Sequence, residues 1–438
     1  MSVKKYDLLT GGQISPPASG RYYPLYSPVD GTLIAEVADA TRVDVDRAVA
    51  AAQEAFYAEW KFCSVEHKRA LFAKLKEILY AAADELAGAK VQPQGGTGIP
   101  PLIERVIDYY VGKLDDGAGT LIEHGDQQTN YVYREPLGVV AIFVPFNGPM
   151  LGALLAAVPA LVAGNTIVVK APDQEAPQAL KTMQVFHEAG FPAGVVNALS
   201  GKGPEVGQAL VAHPATRLIS FTGSTATGKK VMAAAAEDLK RVQLNLGSKT
   251  AQVVFPDANL EAAVDATIGS AFPGQACSAI SRVLLHSSVR DKFIALLKEK
   301  AQAAGPSLLI DGAAIERVER YVEMGKTQGA LLFGGSRVTE NEYAKGCYFD
   351  PTAFAFDDQS SPVCRDEIFG PVVSLLTFDC DEEALALAND TDYGLLVSLW
   401  TQEPERQRYF IRRLEVGIVT VNSGNALSHR TPWGGFKQ

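Results

Sequence analysis

The 438-residue sequence has little cysteine, little histidine and no concentrated charge of one sign. Its five cysteines, at 63, 277, 347, 364 and 380, stand far apart without a Cys-x-x-Cys pair, and its six histidines are scattered. That pattern excludes a disulfide framework and a zinc site. It fits a reducing compartment, so a cytoplasmic location is expected and no metal is. The net charge is −10 and no dense basic stripe occurs, which argues against a nucleic-acid partner. Residues 1–20 lack an apolar core, so no signal peptide is expected. The longest uncharged apolar stretch, Met150 to Gly164, contains Pro159. It falls short of the roughly 20 residues that a membrane-spanning helix needs. A buried helix is expected there, and no membrane partner. With 47% hydrophobic and 21% charged residues, the chain has ordinary globular composition and length for two or three domains.

Residues 42–88 place apolar side chains at helical spacing among charged and alanine-rich positions, which predicts at least two amphipathic helices. Residues 91–101, rich in proline and glycine, break that pattern. From Gly138 onward, short apolar runs alternate with helical patterns. Strands are predicted at Val139–Val144, Thr166–Val169, Val195–Leu199 and Leu218–Phe221. Helices are predicted at Met150–Val162, Ala176–Ala189, Pro204–Ala212 and Thr225–Ala235. This alternation predicts a parallel sheet with helices on both faces. Ligands then sit at the carboxyl ends of strands, so the informative loops follow Val144, Val169, Leu199 and Phe221. A second α/β block has strands at Thr250–Phe255 and Val283–Leu285, with helices at Leu260–Ile268 and Asp291–Ala304. Between Thr120 and Pro136 apolar and polar residues alternate around Gly125 and Asp126. That segment reads as a hairpin, an arm that could pair with another subunit.

The chemistry-bearing residues lie in the loops. The segment Phe221-Thr-Gly-Ser-Thr-Ala-Thr-Gly-Lys-Lys230 approaches a phosphate-binding loop, but Lys230 replaces the hydroxyl that would hold magnesium. Its glycines still let backbone N–H groups meet an anion at a helix N-terminus. Gly201-Lys-Gly203 is a second such turn. Each alone is also consistent with a tight strand–helix turn. Lys170 and Asp173, past a strand end, could bind ribose hydroxyls or simply open a helix. Asn147 could donate to an oxyanion or cap the next helix. Cys277 sits in Phe272-Pro-Gly-Gln-Ala-Cys-Ser-Ala279 without a partner at metal spacing, as a candidate nucleophile or a buried structural thiol. A free thiol with a pKa near 8.5 is mostly protonated at neutral pH, so a nucleophile must be activated.

Several motifs occur in the order found in the NAD(P)-dependent aldehyde dehydrogenase superfamily, which the sequence resembles over nearly its whole length. They are Phe143-Val-Pro-Phe-Asn-Gly-Pro149, Gly164-Asn-Thr-Ile-Val-Val-Lys-Ala-Pro-Asp173, Phe221-Thr-Gly-Ser-Thr225, Asn245-Leu-Gly-Ser-Lys249, Gly274-Gln-Ala-Cys277, Glu367-Ile-Phe-Gly-Pro371 and Pro432-Trp-Gly-Gly-Phe-Lys437. The resemblance implies an α/β fold. A Rossmann-type cofactor domain (1–117 and 137–245) would join an α/β catalytic domain (246–438) and a small β-hairpin arm for oligomerisation (118–136), giving a homodimer or homotetramer. It further implies that Cys277 attacks an aldehyde, and that Asn147 and the Cys277 backbone N–H hold the oxyanion. Hydride passes to nicotinamide and leaves a thioester. Lys170 and Asp173 would bind the adenosine ribose, with Gly201, Gly203 and Ser224 near adenine or the phosphates. Glu367 would hold the nicotinamide ribose, with Phe369 beside it. Asp173 stands where the family usually has glutamate, and a carboxylate there repels a 2′-phosphate, which favours NAD over NADP.

The departures from the family pattern are as informative. Asn245 stands where the family usually carries the glutamate that serves as general base for thioester hydrolysis. An amide cannot accept a proton near pH 7. Three explanations compete: a dehydrogenase with poor deacylation, acyl transfer to coenzyme A, or another group that activates water. The methylmalonate-semialdehyde branch uses coenzyme A and is similar in carrying asparagine here, but Ala276 stands where that branch carries arginine. A non-catalytic cofactor-binding relative is a further reading, against which Cys277, Asn147 and Glu367 are all retained. The stretches before Cys277, at 305–312 and at 90–99 look short against the family pattern, and the family continues past Gln438 into an assembly strand. Gly148, Gly152 and Leu155 occupy substrate-pocket positions where relatives place larger groups, so a bulky apolar or aromatic aldehyde is expected.

Overall fold

The runs Val139–Phe143 and Thr166–Lys170 are buried along their whole length, as strands covered on both faces must be. The computed structural model describes residues 3–92, 101–117, 119–124, 128–424 and 428–438. It divides into one unit of residues 1–26 and 33–244 and another of residues 27–32 and 245–438.

In the first unit, one sheet has seven strands, in the order Arg241–Asn245, Thr216–Thr222, Val139–Phe143, Thr166–Lys170, Val196–Leu199, Leu8–Thr10 and Gln13–Ser15. The strands from Thr216–Thr222 to Val196–Leu199 pair in parallel, as the alternation predicts. The two short N-terminal strands add an antiparallel edge. The order turns back on itself between Val139–Phe143 and Thr216–Thr222, and ligands of such sheets bind at the carboxyl ends beside that reversal. The apolar stretch expected to be a buried helix is one, Pro149–Val162, with Met150, Leu154, Val158 and Leu161 buried. No helix among the described residues is long and apolar enough to cross a membrane. The helices expected within 42–88 are Arg42–Ala58, Val65–Ala81 and Ala83–Gly88. They help to enclose a core in which Phe191 packs against Trp60, Phe72 and Phe186.

The helix expected at Pro204–Ala212 begins differently. Gly203–Gly207 forms one wide π-type turn before the α-helical turn Gln208–Ala212. Thr120–Glu123 and Thr129–Val132 pair antiparallel as a separate two-stranded sheet, so the hairpin is present. Its tip at Gly125 and Asp126 lies outside the described residues.

The second unit has its own seven-stranded sheet. The order is Ala330–Phe333, Thr352–Ala355, Val372–Phe378, Ile280–His286, Thr250–Val254, Leu396–Trp400 and Ile418–Val421. All neighbours are parallel except the edge strand Ala330–Phe333. Helices Leu260–Ala271 and Arg290–Ala304 supply Val264, Phe293 and Leu297 to the core on this sheet. The chain therefore has the α/β fold with parallel sheets expected from its sequence.

Candidate active site

Cys277 lies in the connection between helix Leu260–Ala271 and strand Ile280–His286. Two short backbone bonds fold this connection, from Gln275 N–H to Pro273 O at 2.7 Å and from Ala279 N–H to Ala276 O at 3.0 Å. Gly274 has φ +63, and a Cβ there would overlap the backbone of Gly370 and Pro371. The loop that carries Cys277 is thus seated directly on the Glu367–Pro371 loop, and glycine is the residue that permits both the turn and the approach. Burial, and then the Glu367 carboxylate, push the Cys277 thiol up to about 11, while the backbone N–H groups of Cys277 and Ser278 pull weakly the other way. The resting thiol is protonated at neutral pH, so it must lose its proton as it reacts.

Glu367 is held from the side of Asn245. Its Oε1 accepts a hydrogen bond from Ser248 N–H at 3.0 Å. Its other oxygen lies against Gly247, where a Cβ would overlap the carboxylate. Burial raises the Glu367 pKa above the usual carboxylate value, against the opposing pull of the Ser248 N–H, Lys249 and Arg317. Asn245 ends the strand Arg241–Asn245. Its side-chain Oδ1 is buried without a hydrogen-bond partner among the described residues, a costly arrangement for a polar atom.

Two cations, Lys249 and Arg317, brace the Glu367 loop. Lys249 is fully buried, and its Nζ donates to Val363 O at 2.8 Å and Asp366 O at 2.7 Å. Burial pushes it down to about 7. Arg317 donates to Ile368 O at 2.8 Å and Phe369 O at 3.2 Å. Phe369 itself has φ +54, an uncommon conformation for a residue with a side chain and a mark of a constrained loop. Lys249 carried a signal, as the last residue of its motif. Arg317 carried none, since its helix Gly312–Gln328 reads as an ordinary charged amphipath.

The first unit gathers a second set of expected residues at strand ends. Lys170 ends the strand Thr166–Lys170 and forms an ion pair with Asp173. The Lys170 side chain is 9% exposed and that of Asp173 28%. The pair therefore balances its charge while leaving the carboxylate reachable. Tyr23, unremarked in the sequence, donates its hydroxyl to Asp173 O at 3.2 Å. Gly201 is pressed against Ala40 and Val206, whereas Gly203 faces open space. Ser224 caps the helix Thr225–Ala236 through its Oγ, which accepts from Thr227 N–H at 3.3 Å. Beside it, Thr225 Oγ1 is buried with no partner among the described residues. An orphaned hydroxyl at a helix N-terminus fits an anionic ligand group.

Asn147 stands one residue before the cap position. The cap residue of helix Pro149–Val162 is Gly148, and Met150 N–H in the first turn donates to Gln178 Oε1 at 3.4 Å. Of the positions expected to line a substrate pocket, Gly148 faces open space and Leu155 is half-buried. Gly152 differs from the expectation that a small residue leaves room: a Cβ there would meet Pro145 Cδ at 2.9 Å, so its smallness serves packing.

Known proteins share this architecture. The family model described as "Aldehyde dehydrogenase family" matches residues 15–438. The chain is 36% identical to PnpE from Pseudomonas sp. WBC-3, covering 99% of this chain and 92% of that one with a TM-score of 0.93. It is 33% identical to an NAD-dependent aldehyde dehydrogenase from Sinorhizobium meliloti, covering 100% and 90% with a TM-score of 0.94. It is 29% identical to betaine aldehyde dehydrogenase from Staphylococcus aureus, solved in complex with NAD+, covering 98% and 89% with a TM-score of 0.94.

Proposed function

This chain belongs to the aldehyde dehydrogenase family, and from that premise we propose that it oxidises a bulky apolar or aromatic aldehyde to the carboxylic acid, with NAD as cofactor and a thioester on Cys277 as intermediate. The observation that carries this reading is the placing of the Cys277 loop against the Glu367–Pro371 loop, which sets a thiol that is protonated at rest beside a carboxylate. The Cys277 sulfur adds to the aldehyde carbon, its proton leaves to a base, and the carbonyl electron pair moves onto oxygen. The Asn147 amide and the Cys277 backbone N–H donate to that oxygen. NAD, when bound, supplies the hydride acceptor that turns the adduct into a thioester. Water then attacks the thioester carbon, the C–S bond breaks, and the acid leaves.

Lys170 and Asp173 would hold the adenosine ribose. Gly201, Gly203 and Ser224 would lie near adenine or the phosphates, with the orphaned Thr225 hydroxyl suited to the same group. Glu367 and Phe369 would serve the nicotinamide end. Asp173 favours NAD over NADP because its carboxylate repels a 2′-phosphate. The separate hairpin of Thr120–Glu123 and Thr129–Val132 supports a homo-oligomer.

Asn245, in the place of the family's general-base glutamate, slows thioester hydrolysis. The same asparagine supports a second reading, in which coenzyme A takes the acyl group. Steady-state comparison of benzaldehyde-like and small substrates tests the substrate class. The expected outcome is a higher kcat/KM for benzaldehyde than for acetaldehyde, and loss of oxidation of both in Cys277→Ser. A preference for acetaldehyde contradicts the substrate class, and an active Cys277→Ser contradicts the nucleophile.

A further inference from the structure

The hydrolytic step still needs a proton acceptor, because the Asn245 amide cannot serve as one. Among the described residues, Glu367 is the carboxylate carried by the loop beside that of Cys277. Glu367 sits in the loop on which the Cys277 loop rests and acts electrostatically on the Cys277 thiol. On its other side it meets Gly247 and Ser248, two and three residues after Asn245. Among the described residues, one of its oxygens accepts from a backbone N–H and the other lies against Gly247. Lys249 and Arg317 fix the neighbouring carbonyls of Asp366, Ile368 and Phe369, so the loop that presents the carboxylate is braced from both sides.

We propose that Glu367 is the general base that hydrolyses the Cys277 thioester, taking over the duty that Asn245 cannot perform. The inference rests on the thioester reading above and deepens it. Water donates one proton to the Glu367 oxygen beside Gly247 while its own oxygen forms a bond to the acyl carbon. The carbonyl pair moves onto oxygen and returns, and the C–S bond breaks with its electrons on sulfur. The carboxylic acid leaves, and Glu367 passes the captured proton to the Cys277 thiolate. Nothing is oxidised or reduced in this step. The orphaned Asn245 Oδ1 is an acceptor that can orient the second O–H of the same water. Burial makes Glu367 a stronger base than an ordinary carboxylate, which suits a base working near neutral pH. The groups that act on it are Lys249 and Arg317, which hold its proton affinity down, and Cys277 and Tyr393, on which its own charge acts in turn.

An activated ester tests this without cofactor, so a role of Glu367 in holding NAD has no influence on the result. Mixed with p-nitrophenyl acetate, the native protein should release a burst of p-nitrophenolate equal to its Cys277 content, then a slow phase set by deacylation. In Glu367→Gln the burst amplitude should persist while the slow phase falls by about a hundredfold or more. Adding Asn245→Glu to that variant should restore the slow phase, which a merely structural defect would not allow. A slow phase in Glu367→Gln within about threefold of native, or loss of the burst in that variant, overturns the assignment of Glu367. Absence of a burst in the native protein instead sinks the thioester reading itself. The native protein alone gives a check that no folding defect can obscure. Its slow phase should rise with pH along a limb above the ordinary carboxylate range, and a limb within that range, or none, contradicts the proposal.

Discussion

At the scale of single residues, the chemistry turns on what each side chain can do with a proton. Cys277 holds its proton tightly, pushed up to about 11 by burial and by Glu367, and Asn245 accepts none. The sequence motifs made Cys277, Asn245 and Glu367 legible as a set, and all three belong to one unit of the fold. The pairing of Glu367 with Gly247 and Ser248 was not legible, because it joins positions over a hundred residues apart. If water is the acyl acceptor, Asn245→Glu should raise steady NADH production by less than the roughly 10²–10⁴-fold that a base adds where none is present, because Glu367 already supplies one, leaving the first turnover little changed. Stopped-flow absorbance separates the two phases. An unchanged steady rate would mean that deacylation does not limit the native protein.

At the scale of elements, strands buried on both faces were the clearest part of the sequence. Val139–Phe143, Thr166–Lys170 and Thr250–Val254 appear within a residue of their expected bounds, because continuous apolar runs closed by polar turns leave few alternatives. The wide turn Gly203–Gly207 reads from sequence as the start of an ordinary helix, since periodicity does not distinguish one helical turn type from another. Asn147 is suited by residue type to cap the next helix, and Gly148 takes that place.

One buried element contact has a consequence for stability. Glu175, at the start of helix Ala176–Glu188, accepts backbone hydrogen bonds from Val91 N–H at 2.9 Å and Gln92 N–H at 2.6 Å. Burial nonetheless raises its pKa from 4.5 to about 7. The folded state therefore binds the proton more tightly than the unfolded state. The stabilisation is fully present below the unfolded pKa of 4.5 and is lost as pH rises through about 7. A shift of this size corresponds to about 3 kcal/mol between those limits. Glu175→Gln should flatten the fall in melting temperature between those two pH values relative to the native protein. An unchanged pH dependence of Tm would show that Glu175 does not titrate in that window.

At the scale of the whole molecule, the hairpin Thr120–Glu123 with Thr129–Val132 is exposed along both strands. It carries Leu121, Ile122, Tyr131 and Val132 on the surface, and Tyr131 stacks on Tyr133 at 6.3 Å between ring centroids. Open strand edges and uncovered apolar side chains favour pairing with a second copy of the chain. The double variant Leu121→Glu and Tyr131→Glu should therefore sediment as a smaller species than the native protein. Equal sedimentation of the two would remove the hairpin from the assembly.

The central claim is that Cys277 captures an aldehyde as a thioester which water then releases slowly. It is tested most directly by rapid mixing of protein, NAD and benzaldehyde, with and without coenzyme A, followed by NADH absorbance. The expected result is a burst near one NADH per Cys277, then a slow steady phase that coenzyme A does not accelerate. A steady phase restored by coenzyme A would make the acyl acceptor a thiol rather than water, and the absence of any burst would contradict the thioester itself.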